Sequence, residues 1–293
     1  MRERGLYSLT AMTLLHCGSF RLSLNRPLIM GIVNLTPDSF SGDGVGGGAA
    51  AAIAHAAAQR DAGADLLDLG AESSRPGAAP VPADVEIARL LPVLHVVRDW
   101  GLPISVDTAK PQVMRAVIDA GAAMINDIVA LQAPGALDVV AASDAAVCLM
   151  HMQGEPRTMQ AHPHYTNVTQ EVRDFLAARV AACAAAGIAR ERLLIDPGFG
   201  FGKTVEHNYT LLRELQCLGE VGVPVLAGLS RKSMLGAVTG QPNGVARVYA
   251  SVTAAVLAVS RGAKIVRVHD VAATRDALAV FAAMNVAATE KGA

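Results

Sequence analysis

The stretch Leu28 to Asp38, LIMGIVNLTPD, decides the fold because it joins a buried strand directly to a polar loop. The apolar run Leu28–Val33 predicts a strand that is covered on both faces, as in parallel sheets. The loop that follows does not begin with the glycine-rich turn of a dinucleotide-binding open sheet. This first unit therefore favours a closed barrel over a doubly wound open sheet.

The same unit recurs along the rest of the chain, where short β-rich runs alternate with helical stretches. The eight candidate strands are Leu28–Val33, Leu66–Leu69, Ile104–Val106, Met124–Asn126, Ala146–Met150, Leu193–Ile195, Val225–Leu229 and Ile265–Val268. The helical stretches between and after them include Ala83–Trp100, Pro111–Ala120, Val168–Ala186, Glu206–Leu218, Ala246–Ser260 and Ala272–Met284. We expect a (β/α)8 TIM barrel that forms one domain over residues 28–293, preceded by a short N-terminal extension over residues 1–27.

Composition excludes several classes of protein. The 293 residues are 52% hydrophobic and 17% charged, which supplies a large core, and the net charge of −1 provides no field that would attract nucleic acid. The longest uncharged stretch that is not mostly alanine and glycine, between Arg247 and Arg261, is too short for a membrane span, and residues 1–27 lack the pattern of a signal peptide. We expect a cytoplasmic protein whose four cysteines stay reduced.

Polar residues follow the apolar runs, and in TIM barrels the active site forms where the strands end. These residues are Asn34, Asp68, Asp107, Asn126 with Asp127, His151, Asp196, Ser230-Arg231-Lys232, and Arg267 with His269. Asp and Asn dominate the first six strand ends and suit a flat heterocycle with several hydrogen-bonding groups. The cations at the last two strand ends suit an anion. Arg267 and His269 would hold a phosphate or diphosphate, with Asn34 contributing to a magnesium site.

Two loops carry further polar and glycine-rich sequence. The first runs from Asn34 to Gly48, and the second is Glu72-Ser73-Ser74-Arg75-Pro76-Gly77. Such loops either close over a substrate or form flexible surface connections, and composition leaves both interpretations open.

Three other motifs are weaker than they look. The segment Pro197–Thr204 resembles a phosphate loop, but proline replaces its first glycine, which argues against a nucleotide triphosphatase. His162 and His164 have the spacing of a metal pair without an obvious carboxylate partner. Ser230 lacks the Gly-x-Ser-x-Gly turn of a hydrolase, so a serine nucleophile is not expected.

Several longer blocks resemble one known family, the dihydropteroate synthases. The first two are Met30–Ser41, MGIVNLTPDSFS, and Glu72–Gly77, ESSRPG. Further blocks follow in the same order: Ser105–Thr108, Ile125–Asp127, Met150–Gly154, Asp196–Lys203, Gly228–Ser233 and Arg267–Asp270. The resemblance covers about residues 17–285, and several long motifs in order are more specific than any single one.

The resemblance implies the condensation of 6-hydroxymethyl-7,8-dihydropterin diphosphate with 4-aminobenzoate, which gives 7,8-dihydropteroate and diphosphate in folate synthesis. It also implies a magnesium cofactor, a homodimer, a target for sulfonamides, and a dissociative reaction without a protein nucleophile. The residues that would bind the pterin are Asp107, Asn126, Ile128, Met150, Asp196 and Lys232. Those for the diphosphate are Asn34, Ser74, Arg75, Arg267 and His269, with Asn34 also at the metal. Those for 4-aminobenzoate are Ser74, Pro76, Phe201, Lys232 and Ser233. Asp107, Lys232, Arg267, Ser74 and Arg75 would be the catalytic residues.

The chain departs from the family pattern at two positions. The first loop reads Ser41-Gly42-Asp43-Gly44, so Asp43 receives no role, and Ser74 stands where threonine is common. Two rival functions remain. A pterin-binding methyltransferase barrel should lack the Ser-Arg-Pro-Gly and Ser-Arg-Lys-Ser loops, which this chain has. A catalytically silent pterin-binding module would be expected to lose loop residues or Arg267 and His269, and none of these is missing.

Overall fold

The computed structural model describes residues 14–35, 48–73, 80–155, 158–242 and 244–286. Within these ranges the strands are β1 Leu14–Cys17, β2 Phe20–Ser23, β3 Leu28–Asn34, β4 Leu66–Gly70, β5 Ile104–Asp107, β6 Met124–Asp127, β7 Ala146–Met150, β8 Leu193–Asp196, β9 Leu226–Ala227 and β10 Ile265–Val268. The α-helices are α1 Gly48–Asp61, α2 Ala83–Val97, α3 Pro111–Asp119, α4 Ala136–Ala141, α5 Val168–Ala185, α6 Val205–Arg213, α7 Ser233–Thr239, α8 Val248–Ser260 and α9 Val271–Val286.

The strands β3 to β10 form one parallel sheet in the order β8-β7-β6-β5-β4-β3-β10-β9. A parallel bridge between Ile195 and Val225 joins the two outer strands of this order, so the sheet is nearly closed. Helices connect successive strands. The predicted eight-stranded β/α barrel is therefore confirmed.

The largest difference from the predicted strands lies in β9. The apolar run Val225–Leu229 predicts a strand of five residues, but pairing with β10 covers only Leu226 and Ala227. The chain then enters a turn in which Arg231 adopts a left-handed φ of 59°. The pairing with β10 therefore stops two residues before the predicted end of the run at Leu229.

Two predicted helices have different boundaries in the structure. The stretch Glu206–Leu218 is divided between α6, which ends at Arg213, and a 3-10 helix over Leu215–Val221. Helix α8 begins at Val248 after a 3-10 turn over Gly244–Arg247. Apolar spacing alone did not resolve these breaks because both kinds of helix bury side chains three residues apart.

The amino-terminal end of the barrel is filled by apolar side chains. Inward residues at or near the strand starts form one buried cluster, which comprises Leu28, Met30, Leu66, Met124, Ala146, Cys148, Leu194, Leu226 and Ile265. The β1–β2 hairpin covers this end, and its Leu15 and Cys17 are fully buried in the same cluster. Part of the segment before residue 28 thus packs onto the barrel core.

In the described ranges, no single helix has the length and hydropathy of a membrane span. One pair, Ser233–Thr239 with Gly244–Ser260, meets the criterion jointly, but the two helices are bent by 71°.

Candidate active site

The carboxyl ends of the strands carry polar side chains on the inward face of the barrel. Alternate residues of a strand share a face, and Leu66, Met124, Leu194 and Ile265 belong to the apolar inner cluster. The residues two positions later, which alternation places on the same face, are Asp68, Asn126, Asp196 and Arg267. The polar strand ends predicted from the sequence are thus gathered in one place.

Arg267 lies at the centre of this polar layer. Its Nε donates to Asp68 Oδ2 at 2.5 Å, and its Nη2 donates to Asp107 Oδ2 at 3.0 Å. Asn126 Nδ2 also donates to Asp68 Oδ2, at 3.2 Å. The guanidinium therefore lies among the carboxylates, whereas the sequence suggested a cationic half separate from an acidic half. Arginine is long enough to reach from β10 to β4 and β5.

Burial and the neighbouring charges together shift the pKa values of Asp107 and Arg267. Burial raises the pKa of Asp107 from 3.8 to about 7; the Arg267 charge opposes this shift and the Asp68 charge adds to it. Burial disfavours the charged form of Arg267, but the carboxylates of Asp68 and Asp107 raise its pKa above the ordinary value. Arg267 therefore stays cationic, while Asp107 can gain or lose a proton near neutral pH.

A second group of charges borders Gly228. A Cβ atom at this glycine would lie 3.7 Å from Asp196 Oδ2 and 3.9 Å from both Lys232 Nζ and the Arg267 Cβ. Burial raises the pKa of Asp196, with Lys232 opposing the shift, and burial lowers the pKa of Lys232 to about 8. The missing side chain at Gly228 leaves space beside a carboxylate and two cations, where hydrogen-bond donors and acceptors of a ring can be bound.

The loop after β8 is held together by a buried lysine. Lys203 Nζ donates to the carbonyls of Gly198 and Phe201 at 3.0 Å each and to that of His151 at 3.3 Å. Burial lowers the pKa of Lys203 to about 7. The lysine of the phosphate-loop-like segment is thus bonded to its own loop and to His151, and it is not presented to a nucleotide.

Phe201 and Lys232 lie together beside this loop. Lys232 Nζ donates to the carbonyl of Phe199 and lies 4.7 Å from the centre of the Phe201 ring. Gly200 lies close to the lysine stem, since a Cβ there would be 3.2 Å from Lys232 Cδ. The contact brings two of the residues predicted for 4-aminobenzoate next to the Asp196 group.

His269 and Ser230 form a pair at the ends of β10 and β9. Ser230 Oγ lies 3.0 Å from His269 Nδ1 and accepts the backbone N–H of His269 at 3.2 Å. The next residues along the chain are paired as well: Arg231 donates to Asp270 at 2.6 and 3.1 Å. The side chain of Arg231 is therefore bound just before α9, while Lys232 lies beside Phe201.

Asn34 and Asp107 both border the space beside Gly70. A Cβ atom at this glycine would lie 3.8 Å from Asn34 Oδ1 and 4.0 Å from Asp107 Oδ2. In the part of the chain that the structure describes, no group of three or more His, Cys, Asp or Glu side chains is arranged to hold a metal. Mg²⁺ commonly takes only one or two protein oxygens together with substrate phosphates and water, so the oxygen of Asn34 fits a magnesium ion that binds with a diphosphate.

The remaining predicted residues lie in different surroundings. Met150 is buried at the end of β7, opposite Asp196 in register, and Ile128 is half-buried just after β6. Ser233 is exposed at the first residue of α7. Ser74, Arg75 and Pro76, like Asp43, lie outside the described residues, so their predicted roles stay predictions.

The two ends of the second loop are anchored by charged groups. Glu72 accepts the backbone N–H of Val81 at 2.8 Å and pairs with Lys110 at 2.6 Å. Lys110 also pairs at 2.6 Å with Glu86, which is fully buried on α2. These contacts fix the position of the loop ends relative to α2 and α3.

Sequence reasoning gave no role to two residues that organise the site. Asp68 was named among the polar strand ends without a function, and Lys203 was discounted with its motif. Alternation on the strand could have singled out Asp68, because it shares the inward face with Leu66. No local signal shows that Lys203 turns back into its own loop.

Comparison with known proteins gives consistent results. The sequence profile described as pterin-binding enzyme matches residues 30–269. The dihydropteroate synthase of Neisseria meningitidis serogroup C is 51% identical, and the alignment covers 92% of this chain and 96% of that protein.

Two solved structures resemble the chain as strongly. The Xanthomonas albilineans dihydropteroate synthase with 4-aminobenzoic acid has a TM-score of 0.89 and 52% identity, over 94% of this chain and 98% of the other. The Burkholderia cenocepacia dihydropteroate synthase complexed with 7,8-dihydropteroate has a TM-score of 0.86 and 50% identity, over 95% of this chain and 99% of the other.

Proposed function

This chain belongs to the pterin-binding enzymes and, among them, to the dihydropteroate synthases, and from this premise we propose its substrates and the roles of its residues. The reaction joins 6-hydroxymethyl-7,8-dihydropterin diphosphate to 4-aminobenzoate and releases diphosphate. The observation that carries the proposal is the polar layer at the carboxyl ends of the strands, in which Arg267 bonds to the buried carboxylate of Asp68 and to that of Asp107.

The pterin ring binds on the side of Asp196, Asn126 and Lys232. A buried carboxylate accepts hydrogen bonds from the amino-pyrimidine edge of the ring, and an amide can both donate and accept. Met150, which is buried in register with Asp196, supplies an apolar contact. The space beside Gly228 supports this placement because it is bordered by Asp196, Lys232 and Arg267.

The diphosphate binds on the side of Arg267, His269 and Asn34. Arginine provides charge-assisted hydrogen bonds to phosphate oxygens, and the histidine ring adds a further contact. Magnesium held by the oxygen of Asn34 and by the diphosphate would neutralise part of the charge on the leaving group. Ser74 and Arg75 are assigned to the same group by family similarity.

The chemistry we propose begins with cleavage of the bond between the pterin methylene carbon and the diphosphate oxygen. The electron pair leaves with the diphosphate, whose added charge Arg267 stabilises, and a cationic pterin-methyl group remains near the carboxylate of Asp107. The nitrogen of 4-aminobenzoate then donates its lone pair to form the C–N bond and loses a proton to solvent. No protein nucleophile is required.

4-Aminobenzoate binds near Phe201 and Lys232, whose contact at 4.7 Å brings an aromatic face and a cation together. The ring can pack on Phe201 while its carboxylate lies near positive charge and Ser233. Pro76 and Ser74 complete this group by family similarity. A homodimer belongs to the same proposal and rests on the family alone.

The test incubates purified protein with the pterin diphosphate, 4-aminobenzoate and magnesium, and follows dihydropteroate by chromatography. We expect product that depends on both substrates and an equimolar release of diphosphate. Absence of product above an enzyme-free control would refute the catalytic proposal. Pterin binding without turnover would instead favour a silent binding module, and transfer of a methyl group to a corrinoid would favour the methyltransferase alternative.

A further inference from the structure

Among the residues that the structure describes, the Arg267 guanidinium is bound along one edge only. Arginine has five N–H donors in a planar fork, and one edge, formed by Nε and Nη2, is divided between Asp68 and Asp107. Within the described residues the other three N–H groups have no assigned hydrogen bond. These three point away from the bonded edge and are available to an anion.

The described contacts of the Asp68 side chain are hydrogen bonds that it accepts from two other residues of the site. It is fully buried, and a single oxygen, Oδ2, accepts from both Arg267 and Asn126. Its second oxygen, Oδ1, is buried without a hydrogen-bond partner among the described residues. A buried carboxylate with an unused oxygen is costly to folding, so stability alone does not account for it.

We propose that Asp68 is a positioning residue that holds the Nε edge of Arg267, so that the three remaining N–H groups are presented to the leaving diphosphate. The inference deepens the proposed function and rests on it. Asp68 does not contact the reacting atoms; it acts through Arg267.

The alternative arrangement that Asp68 prevents is a two-point pair between Arg267 and Asp107. Side-by-side Nε and Nη2 donors fit both oxygens of one carboxylate, which is the strong geometry of arginine pairs. With Asp68 bound to Nε, Asp107 receives only the Nη2 donor, at 3.0 Å. Without Asp68 the guanidinium would rotate onto Asp107, and its free edge would lose its alignment.

Two substitutions separate this role from a general effect on folding. Asp68→Ala removes the acceptor. Asp68→Asn keeps one oxygen, which can take the place of Oδ2 and accept from both Arg267 and Asn126. Its amide nitrogen then takes the place of Oδ1, the oxygen that makes no hydrogen bond to the described residues. The matched control is Ser105→Ala. Ser105 lies on β5, opposite Asp68 in register, and is fully buried. Its hydroxyl makes no hydrogen bond to the described residues.

The probes are inorganic pyrophosphate, for the anion group, and 6-hydroxymethyl-7,8-dihydropterin, for the ring group, each titrated by calorimetry in the presence of magnesium. We expect Asp68→Ala to weaken pyrophosphate binding about tenfold or more, as for the loss of a charge-assisted hydrogen bond, and to weaken pterin binding by about threefold or less. Asp68→Asn should restore pyrophosphate affinity to within about threefold of the unchanged protein. Ser105→Ala should leave both affinities unchanged.

Steady-state kinetics give the second measurement. Asp68→Ala should lower kcat while the KM for 4-aminobenzoate stays nearly constant, because the group proposed to bind 4-aminobenzoate, beside Phe201, does not include Arg267. The positioning role would be overturned if Asp68→Ala lost affinity equally for pyrophosphate and for the pterin. It would also be overturned if Asp68→Asn bound pyrophosphate as weakly as Asp68→Ala. The unchanged protein is assayed alongside: if it makes no dihydropteroate, the proposed function fails, whereas an active parent with pyrophosphate binding insensitive to Asp68 refutes only this inference.

Discussion

Replacement of Arg267 by methionine should show how much of the free energy of unfolding depends on the cation that Asp68 and Asp107 share. The guanidinium bonds to Asp68 at 2.5 Å and to Asp107 at 3.0 Å. Methionine keeps much of the side-chain length, so the change removes charge more than volume. Breaking a buried ion pair by deleting one partner costs about 3–5 kcal/mol, because the remaining charge is left uncompensated. We expect a loss of that size in the free energy of unfolding at alkaline pH.

The loss should depend on pH because Asp107 can take up a proton. Its folded-state pKa of about 7 lies above the ordinary 3.8, so between these values the folded state holds a proton that the unfolded state lacks. Stability from this group therefore falls as the pH rises from about 4 to about 7. The charge of Arg267 lowers the folded-state pKa of Asp107, so removing Arg267 should raise that pKa further. The pH range over which stability falls then extends to higher pH, and each additional pKa unit adds about 1.4 kcal/mol to the loss of stability at high pH.

The assay is urea unfolding of the unchanged protein and of Arg267→Met at pH 5 and pH 9. Arg213→Met on the exposed side of α6 is the matched control, and it should change stability by less than about 0.5 kcal/mol. A loss for Arg267→Met that is below about 1 kcal/mol at pH 9, or that is equal at the two pH values, would refute the electrostatic reasoning.

Three further changes probe other parts of the site. Asp196→Asn should weaken binding of 6-hydroxymethyl-7,8-dihydropterin about tenfold and leave pyrophosphate binding unchanged, as measured by calorimetry. Equal effects on the two ligands would contradict the proposed division into a pterin side and a diphosphate side. Lys203→Met should lower the free energy of unfolding by about 3 kcal/mol in urea, since three carbonyls lose their donor, and a neutral result would contradict this bonding. Gly198→Ala should abolish the folded state seen by circular dichroism, because a Cβ would lie 1.9 Å from the carbonyl oxygen of His151. Gly219→Ala should fold normally, because among the described residues a Cβ there would meet nothing within 4 Å beyond its own stretch of helix; normal folding of both variants would refute the argument.

Much of the fold could be predicted because a short apolar run followed by a helical pattern is a local property of the sequence. The predicted runs have three to six residues, and in Leu28–Val33, for example, every residue is buried. The end of β9 could not be predicted in this way. Leu229 is as apolar as Leu226, and only pairing with β10 and the left-handed turn at Arg231 decide where the strand stops.

The members of the site could be predicted better than their partners. Strand alternation places Asp68, Asp107 and Asn126 on the inward side, since the strand period is two residues. It does not say that Arg267 crosses to β4 and β5, because the reach of a long side chain depends on which strands become neighbours. For this reason the expected separation of acidic from cationic side chains does not hold around Arg267.

The shared position of Arg267 makes the two halves of the site one electrostatic unit. Arg267 Nη2 donates to Asp107 at 3.0 Å, so the cation that faces the diphosphate is paired with the carboxylate that faces the methylene carbon. When the C–O bond breaks, negative charge grows on the diphosphate beside Arg267 while positive charge grows on the carbon near Asp107. In the proposed reaction, this one ion pair therefore supplies an opposite charge to both of the charges that develop.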